Sequence, residues 1–352
     1  MKRYNDLYPK IYEMSNIELA HQNARKGKRH YREVKMVDSD PDKYLCDIQK
    51  MLKNKTFVNS QYTRMTKTMD NGKVREIAKL PYFPDRISHH CIIQILEPLW
   101  NSTLIKDTYA CIKGRGIHKC LERIQQALRD KEASKYCLKM DVKKFYPSVD
   151  HDVLKGLIRR KIKDNDLLWL LDEIIDSEPG IPIGNYLSQY FGNLYLSGFD
   201  HWMKEEKGCK NYYRYCDDVV VLCADKSRLH ELRKEVEQYL NNELNLKLKE
   251  NWQIFPVDKR GIDFLGYRFY HGYTLLRKSI TKRMKNRLKT IQRKGLTLNP
   301  VQVISSVMSY YGWLKHANCR NLLNKYFNKD IFWIVKQKAK EANQCNPLQG
   351  LI

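Results

Sequence analysis

Two hydrophobic periods run through the chain, and each predicts a different element. Spacing at three and four predicts amphipathic helices. Leu45, Ile48, Met51 and Leu52 place one over residues 40–58. Ile87, Cys91, Ile95 and Leu96 place another, opened by Asp85-Arg86. Helices are also expected over 117–129, through Leu154, Leu157, Ile158 and Ile162, and over 167–175, 190–204 and 226–242. Pro147 stops the strand before the helix of Leu154, and Ser148 or Asp150 caps that helix. Period two predicts strands. Tyr136, Leu138, Met140 and Val142 share one face, with Cys137, Lys139 and Asp141 on the other. Val219, Val220, Val221 and Leu222 follow Tyr215-Cys216-Asp217-Asp218, which reads as a hairpin with adjacent carboxylates at its turn. Residues 63–80 read as a second hairpin, since Asp70-Asn71-Gly72-Lys73 supplies the positive φ of a tight turn. Ile262 to Phe269 is an aromatic strand-turn. The mixture predicts an α+β fold.

Charge changes the picture most. The 352 residues carry a formal charge of +24, which points to a polyanionic partner, most simply nucleic acid. Arg25, Lys26, Lys28, Arg29, His30 and Arg32 form a basic knot after a helical start. Lys282, Arg283, Lys285, Arg287, Lys289, Arg293 and Lys294 open a basic helical module. The expected division is therefore a first domain over 1–272 and a second over 273–352. No apolar stretch is long enough to span a bilayer, and the first residues contain no apolar signal core. The ten cysteines include no Cys-x-x-Cys pair, which fits reduced thiols and a cytoplasmic location.

The carboxylates carry the candidate chemistry. An acid inside an otherwise apolar strand is costly unless paired or metal-bound, which singles out Asp141. Alone, Asp217-Asp218 is equally a solvated turn or a site for a hard cation. If the two strands are neighbours, Asp141 and Asp217 can bind two divalent ions that clamp an in-line phosphoryl displacement. Asp218 is then an outer contributor, because neighbours on a strand alternate in direction. Lys73, Arg75 and Lys79 share one face of the returning strand. A triphosphate would answer those charges, and an exposed edge blunted by charge is the alternative. The basic loop 109–116 does not match a P-loop. The Gly/Pro-rich segment from Gly180 to Gln189 brings backbone amides and a Gln side chain to a helix start.

Four ordered motifs resemble those of reverse transcriptases. Lys139-Met140-Asp141-Val142-Lys143-Lys144-Phe145-Tyr146 looks like the first catalytic motif, and Tyr215-Cys216-Asp217-Asp218 like the Tyr-x-Asp-Asp motif. Ile183-Gly184-Asn185-Tyr186-Leu187-Ser188-Gln189 resembles the motif between them, and Phe264-Leu265-Gly266-Tyr267 the primer-gripping hairpin. The Ile-Gly and Ser188-Gln189 forms resemble the enzymes of bacterial diversity-generating retroelements rather than group II intron enzymes. Ala24 to Arg29 and Tyr311 to Asn318 look like that group as well, while retron signatures and endonuclease or RNase H motifs are not found.

The resemblance implies a right-hand polymerase fold with fingers, a palm of antiparallel sheet flanked by helices, and a helical thumb. It implies two Mg²⁺ ions, with Mn²⁺ as a substitute, held by Asp141, Asp217 and the Val142 backbone, with Asp218 also catalytic. Lys73 and Arg75 would meet the triphosphate, Tyr146 would gate the sugar, and Ile183 and Gln189 would line the nascent pair. Gly184, Leu265, Gly266 and Lys315 would lie along the primer and template, with Gly266 allowing close backbone approach. The implied partners are template RNA, cDNA, dNTPs and a small basic oligomeric accessory protein, in a bacterial or phage-encoded system. The implied task is copying a template-repeat RNA into adenine-mutagenised cDNA that replaces a variable repeat in a target gene. The rival readings are a defence-associated or domesticated reverse transcriptase and a non-catalytic maturase-like RNA-binding protein. Cys216 stands where this group usually carries Met, and Tyr146 where it usually carries Phe.

Overall fold

The computed structural model describes residues 3–68, 72 and 74–345. Asp70, Asn71 and Lys73 of the expected turn therefore lie outside the described residues. The rest of that hairpin forms as expected. β1 (Thr63–Thr68) pairs antiparallel with β2 (Val74–Lys79), in a register that sets Lys67 opposite Arg75 and Thr63 opposite Lys79.

Two compact units make up the chain. The first comprises the residues up to Gly116, Leu138–Val221 and Ser227–Gln253; the second comprises Ile117–Cys137, Leu222–Lys226 and Ile254 onward. The strands that carry the acids are β3 (Tyr136–Asp141), β4 (Asn211–Tyr215) and β5 (Asp218–Cys223). With β6 (Gln253–Pro256) they form one sheet, in the order β4-β5-β3-β6. β3 and β5 are therefore interior strands. Cys137 is accordingly as fully buried as Leu138, although it shares a face with Lys139 and Asp141. Both faces are covered, and only Lys139 and Asp141 interrupt the apolar run.

Helix boundaries in the first unit follow local chemistry. Pro41–Lys53 begins at Asp40, whose carboxylate accepts from the Lys43 amide at 3.3 Å. It stops short of the expected residue 58 because Lys55 turns to φ 55°. Asp150, rather than Ser148, caps His151–Arg159 through the Val153 amide at 3.1 Å. The expected helix over 190–204 starts earlier and is broken. Ser188–Tyr195 ends where Leu196 leaves helical geometry (ψ 2°), Ser197–His201 follows, and a wider turn covers Trp202–Glu206. Gln189 thus lies in a first helical turn rather than in the loop.

In the second unit β7 (Ile262–Phe264), β8 (Tyr267–Tyr270) and β9 (Tyr273–Leu276) form an antiparallel sheet. Leu265 and Gly266 are the two-residue turn of β7 and β8, with φ of 52° and 85°. Positive φ at both positions matches the twist of a tight hairpin. Lys278–Lys294, Pro300–Lys315, Arg320–Tyr326 and Lys329–Cys345 are helices of the expected basic module.

Candidate active site

β3 ends on Asp141, and β4 and β5 turn on Cys216 and Asp217. Strand adjacency brings these ends together, and the Asp141 and Asp217 carboxyl groups lie within hydrogen-bonding reach of each other. Burial, the neighbouring Asp141 charge and that of Asp218 push the Asp217 carboxyl up to about 7. Two acids forced together in a half-buried site make a place where a cation is favoured. Asp218 opens β5, close enough for its charge to act on both Asp217 and Lys249.

Lys249 is a member of the site that the helical and strand periods did not single out. Its ammonium lies 2.8 Å from Asp141 Oδ2, and its amide donates to the Asp141 carbonyl at 2.9 Å. The hydrogen bond to Asp141 raises the Lys249 pKa. Val142 forms an antiparallel bridge with Leu248, and the Lys143 amide donates to Lys247 at 2.8 Å. The alternation Leu246-Lys247-Leu248-Lys249 was the available signal: both leucines are buried.

A buried ion pair fixes the hairpin from beneath. Arg214 and Asp200 are both wholly buried, and their side chains meet in two parallel contacts of 2.6 Å. Tyr212 and Thr108 donate to the same carboxylate at 2.5 and 2.7 Å. The guanidinium then reaches the Cys216 carbonyl at 2.8 Å. Cys216 sits at φ 56°, a conformation costly for a non-glycine residue. The Arg214 contact holds that carbonyl and so fixes the turn before Asp217.

Around the acids the structure gathers Tyr146, Val142 and the 180–185 loop. The Tyr146 hydroxyl hydrogen-bonds with Cys216, and burial and the negative potential around it raise its pKa. The Tyr146 backbone carbonyl accepts from Ile181 at 2.9 Å, while Ile183 accepts from Ala78 of β2 at 2.8 Å. The loop is thereby stitched to β2 on one side and to Tyr146 on the other. Gly184 has φ 121°, and a Cβ there would meet the Ala78 carbonyl at 2.3 Å. That packing alone requires glycine, whatever else approaches it. Asn185, also missed in the sequence, clamps the loop by donating to Tyr62 at 2.7 Å and accepting from Leu187 at 2.8 Å. Gln189 is exposed.

The cation face of β2 differs from expectation in two ways. Lys67 joins Arg75 on the same face, and Lys79 is answered within the chain by Glu33 at 3.8 Å. Lys73 lies outside the described residues. Leu265, Gly266 and Lys315 belong to the second unit. At Gly266 the space a Cβ would need is taken by Trp313 and Ile280, at 2.6 and 2.8 Å. Internal packing and positive φ each require glycine there, whatever else approaches it. Lys315 is exposed, with its ammonium 5.6 Å from the Tyr311 ring centre.

The donor set suits a hard divalent ion: two abutting carboxylates beside the end of a strand. Among the described residues no group of three or more His, Cys, Asp or Glu gathers as a closed metal cage. Mg²⁺ commonly keeps water and takes only one or two carboxylates plus substrate phosphates, which such an open site accommodates. No helix among the described residues is long and apolar enough to cross a membrane.

The family profile for reverse transcriptase (RNA-dependent DNA polymerase) matches residues 63–269. The chain is 24% identical over 243 residues to protein YkfC of Escherichia coli (strain K12), covering 56% of this chain and 64% of that protein. It is 24% identical over 304 residues to the group II intron-encoded protein LtrA of Lactococcus lactis subsp. cremoris, covering 66% of this chain and 50% of LtrA. The chain thus spans between half and two-thirds of the length of these relatives. Among solved structures, apo telomerase from Candida tropicalis aligns with a TM-score of 0.50 at 13% identity, covering 82% of this chain and 58% of that one. The likeness is one of fold, the right-hand polymerase fold.

Proposed function

Because the chain belongs to the reverse transcriptase (RNA-dependent DNA polymerase) family, we propose that it is itself an RNA-directed DNA polymerase working by two-metal nucleotidyl transfer. The observation that carries this reading is the meeting of Asp141 and Asp217 where β3 ends and β4 turns into β5. In this reading Asp141, Asp217 and the Val142 carbonyl hold Mg²⁺, which when bound activates the primer hydroxyl and neutralises phosphate charge. Asp218 adds negative potential from the base of β5. Lys249 balances Asp141 in the free site. Tyr146 closes the floor and excludes a ribose 2′-hydroxyl. Arg75, with Lys73, faces the triphosphate, while Ile183 and Gln189 flank the nascent pair. Leu265, Gly266 and Lys315 serve the primer and template. Residues 1–272 act as fingers and palm and 273–352 as thumb.

The test is Mg²⁺-dependent extension of a DNA primer on an RNA template by the purified chain. Extension is expected from the parent and not from Asp217→Asn. Its absence from the parent under reducing conditions overturns the reading.

The finer task we infer is mutagenic copying of a template-repeat RNA for a diversity-generating retroelement, with a small basic accessory protein, in a bacterial or phage host. Its support is the Ile183-Gly184 and Ser188-Gln189 pattern. The similarity to LtrA favours a second reading, an intron-type or domesticated enzyme with no mutagenic role. Sequencing cDNA made from a defined RNA separates them. Errors concentrated at template adenines support the first, and uniform low error supports the second.

A further inference from the structure

We propose that Cys111 and Cys216 are a redox-modification site: peroxide joins them in a reversible disulfide that shuts the catalytic turn. The consequence for activity rests on the polymerase reading above, whereas the bond itself does not.

Cys216 occupies the turn between β4 and β5, immediately before Asp217. Its thiol lies in side-chain contact with that of Cys111. The segments that carry the two thiols are laced together by backbone. Thr108 bridges Arg214 in parallel, the Tyr109 amide donates to the Arg214 carbonyl at 3.1 Å, and the Arg214 amide donates to Asp107 at 3.0 Å. Buried Asn193 ties the Ala110 carbonyl at 2.8 Å, and Arg214 ties the Cys216 carbonyl at 2.8 Å. The residue before Cys111 and the backbone of Cys216 are thus held by Asn193 and Arg214, which also bond each other, and this keeps the pair in register. Cys111 is exposed and Cys216 half-buried, so a small oxidant reaches Cys111 first.

The chemistry balances with a peroxide as oxidant. The Cys111 sulfur attacks the O–O bond, takes one oxygen as sulfenic acid, and releases the other as water. The Cys216 sulfur then displaces that hydroxyl, the S–S bond forms, and a second water leaves with the Cys216 proton. The two thiols together lose two hydrogens and two electrons, all taken by the peroxide. A dithiol reverses the step by exchange. The bond would tie the 109–116 loop to the turn that carries Asp217. It would also remove the thiol hydrogen from the contact with Tyr146.

The experiment treats the full chain with hydrogen peroxide, labels remaining thiols, and maps linked peptides by mass spectrometry with and without dithiothreitol. A Cys111–Cys216 linked peptide that dithiothreitol removes is expected. Extension of a DNA primer on RNA should fall at least tenfold on oxidation and recover on reduction. In Cys111→Ser the ratio of oxidised to reduced activity should return to near one. No linked peptide, or the same peroxide sensitivity in Cys111→Ser, overturns the proposal. The peptide map on the parent chain decides the bond even if the variant fails to fold. If the reduced parent never extends a primer, the polymerase reading fails, while the map still decides the disulfide.

Discussion

The Arg214 guanidinium donates to the Cys216 carbonyl at 2.8 Å while both its other edges are held by Asp200 and Asn193. A cation with no exposed surface thus fixes the backbone of the turn before Asp217. Removing one partner leaves the other charge buried and unpaired, which costs about 3–5 kcal/mol. Arg214→Met should therefore destabilise the chain on that scale in denaturant unfolding. The pair of Arg233 and the exposed Glu237 serves as the control, since Glu237→Gln should cost less than about 1 kcal/mol. Equal losses in the two variants would remove the structural role given to Arg214.

Asp141 and Asp217 should each be indispensable. Asp141→Ala or Asp217→Ala is expected to lower Mg²⁺-dependent DNA synthesis by at least about 10³-fold, on the scale of lost transition-state charge stabilisation. RNA binding, measured by filter retention, should change little, because both carboxylates are anionic and lie within a strongly basic chain. Undiminished synthesis in either variant refutes the metal assignment.

The raised Asp217 carboxyl ties stability to pH. Its folded pKa, about 7, lies above the ordinary 3.8, so the metal-free fold binds the proton more tightly than the unfolded chain does. Stability is thus lost as pH rises through the window between those values, and the full penalty is present above it. Asp217→Asn should raise the melting temperature of the metal-free protein at pH 8 by roughly 3–8 °C. The gain should shrink toward pH 5. A gain that is the same at both pH values would show that Asp217 carries no such penalty.

If Asp141 holds the metal as proposed, Lys249 competes for it. Lys249→Gln removes that cation and should lower the Mg²⁺ concentration needed for half-maximal binding about threefold or more, on the order of 1 kcal/mol for a charge a few ångströms away. Titration of the metal by calorimetry, without nucleic acid, reads this directly. Weaker binding in the variant would reverse the assigned role.

Tyr146 hydrogen-bonds with Cys216 beside the acids, where its ring can limit what fits at the sugar. Tyr146→Ala should increase ribonucleotide incorporation by at least about tenfold relative to dNTPs, one tenfold step corresponding to about 1.4 kcal/mol. Unchanged sugar discrimination places the gate elsewhere.

The two hairpins, the β3 acid and the helix faces were legible because hydrophobic period and turn residues are local signals. That both faces of β3 are covered was not legible, because alternation cannot tell a half-buried strand from one covered on both faces. Arg214, set between tyrosines, and Asp200, within a helix, carry no sign of their pairing in the sequence. Their pairing is visible only when β4 meets Ser197–His201. The thiol pair leaves no sequence signal, since Cys111 and Cys216 share no motif. For the glycines at 184 and 266 the structure supplies a packing reason that the sequence did not show.

The Asp200–Arg214 pair also bears on how this chain can change over generations. Either residue alone is close to immovable, because its loss strands a buried charge. Replacing both by apolar groups of similar volume is far less costly. Tyr212 and Thr108 would then need new partners as well, since both donate to Asp200. The four positions should therefore drift together or not at all. Across descendants of this sequence, correlated substitution at 108, 200, 212 and 214 would mark the mechanical root of the turn that carries Asp217.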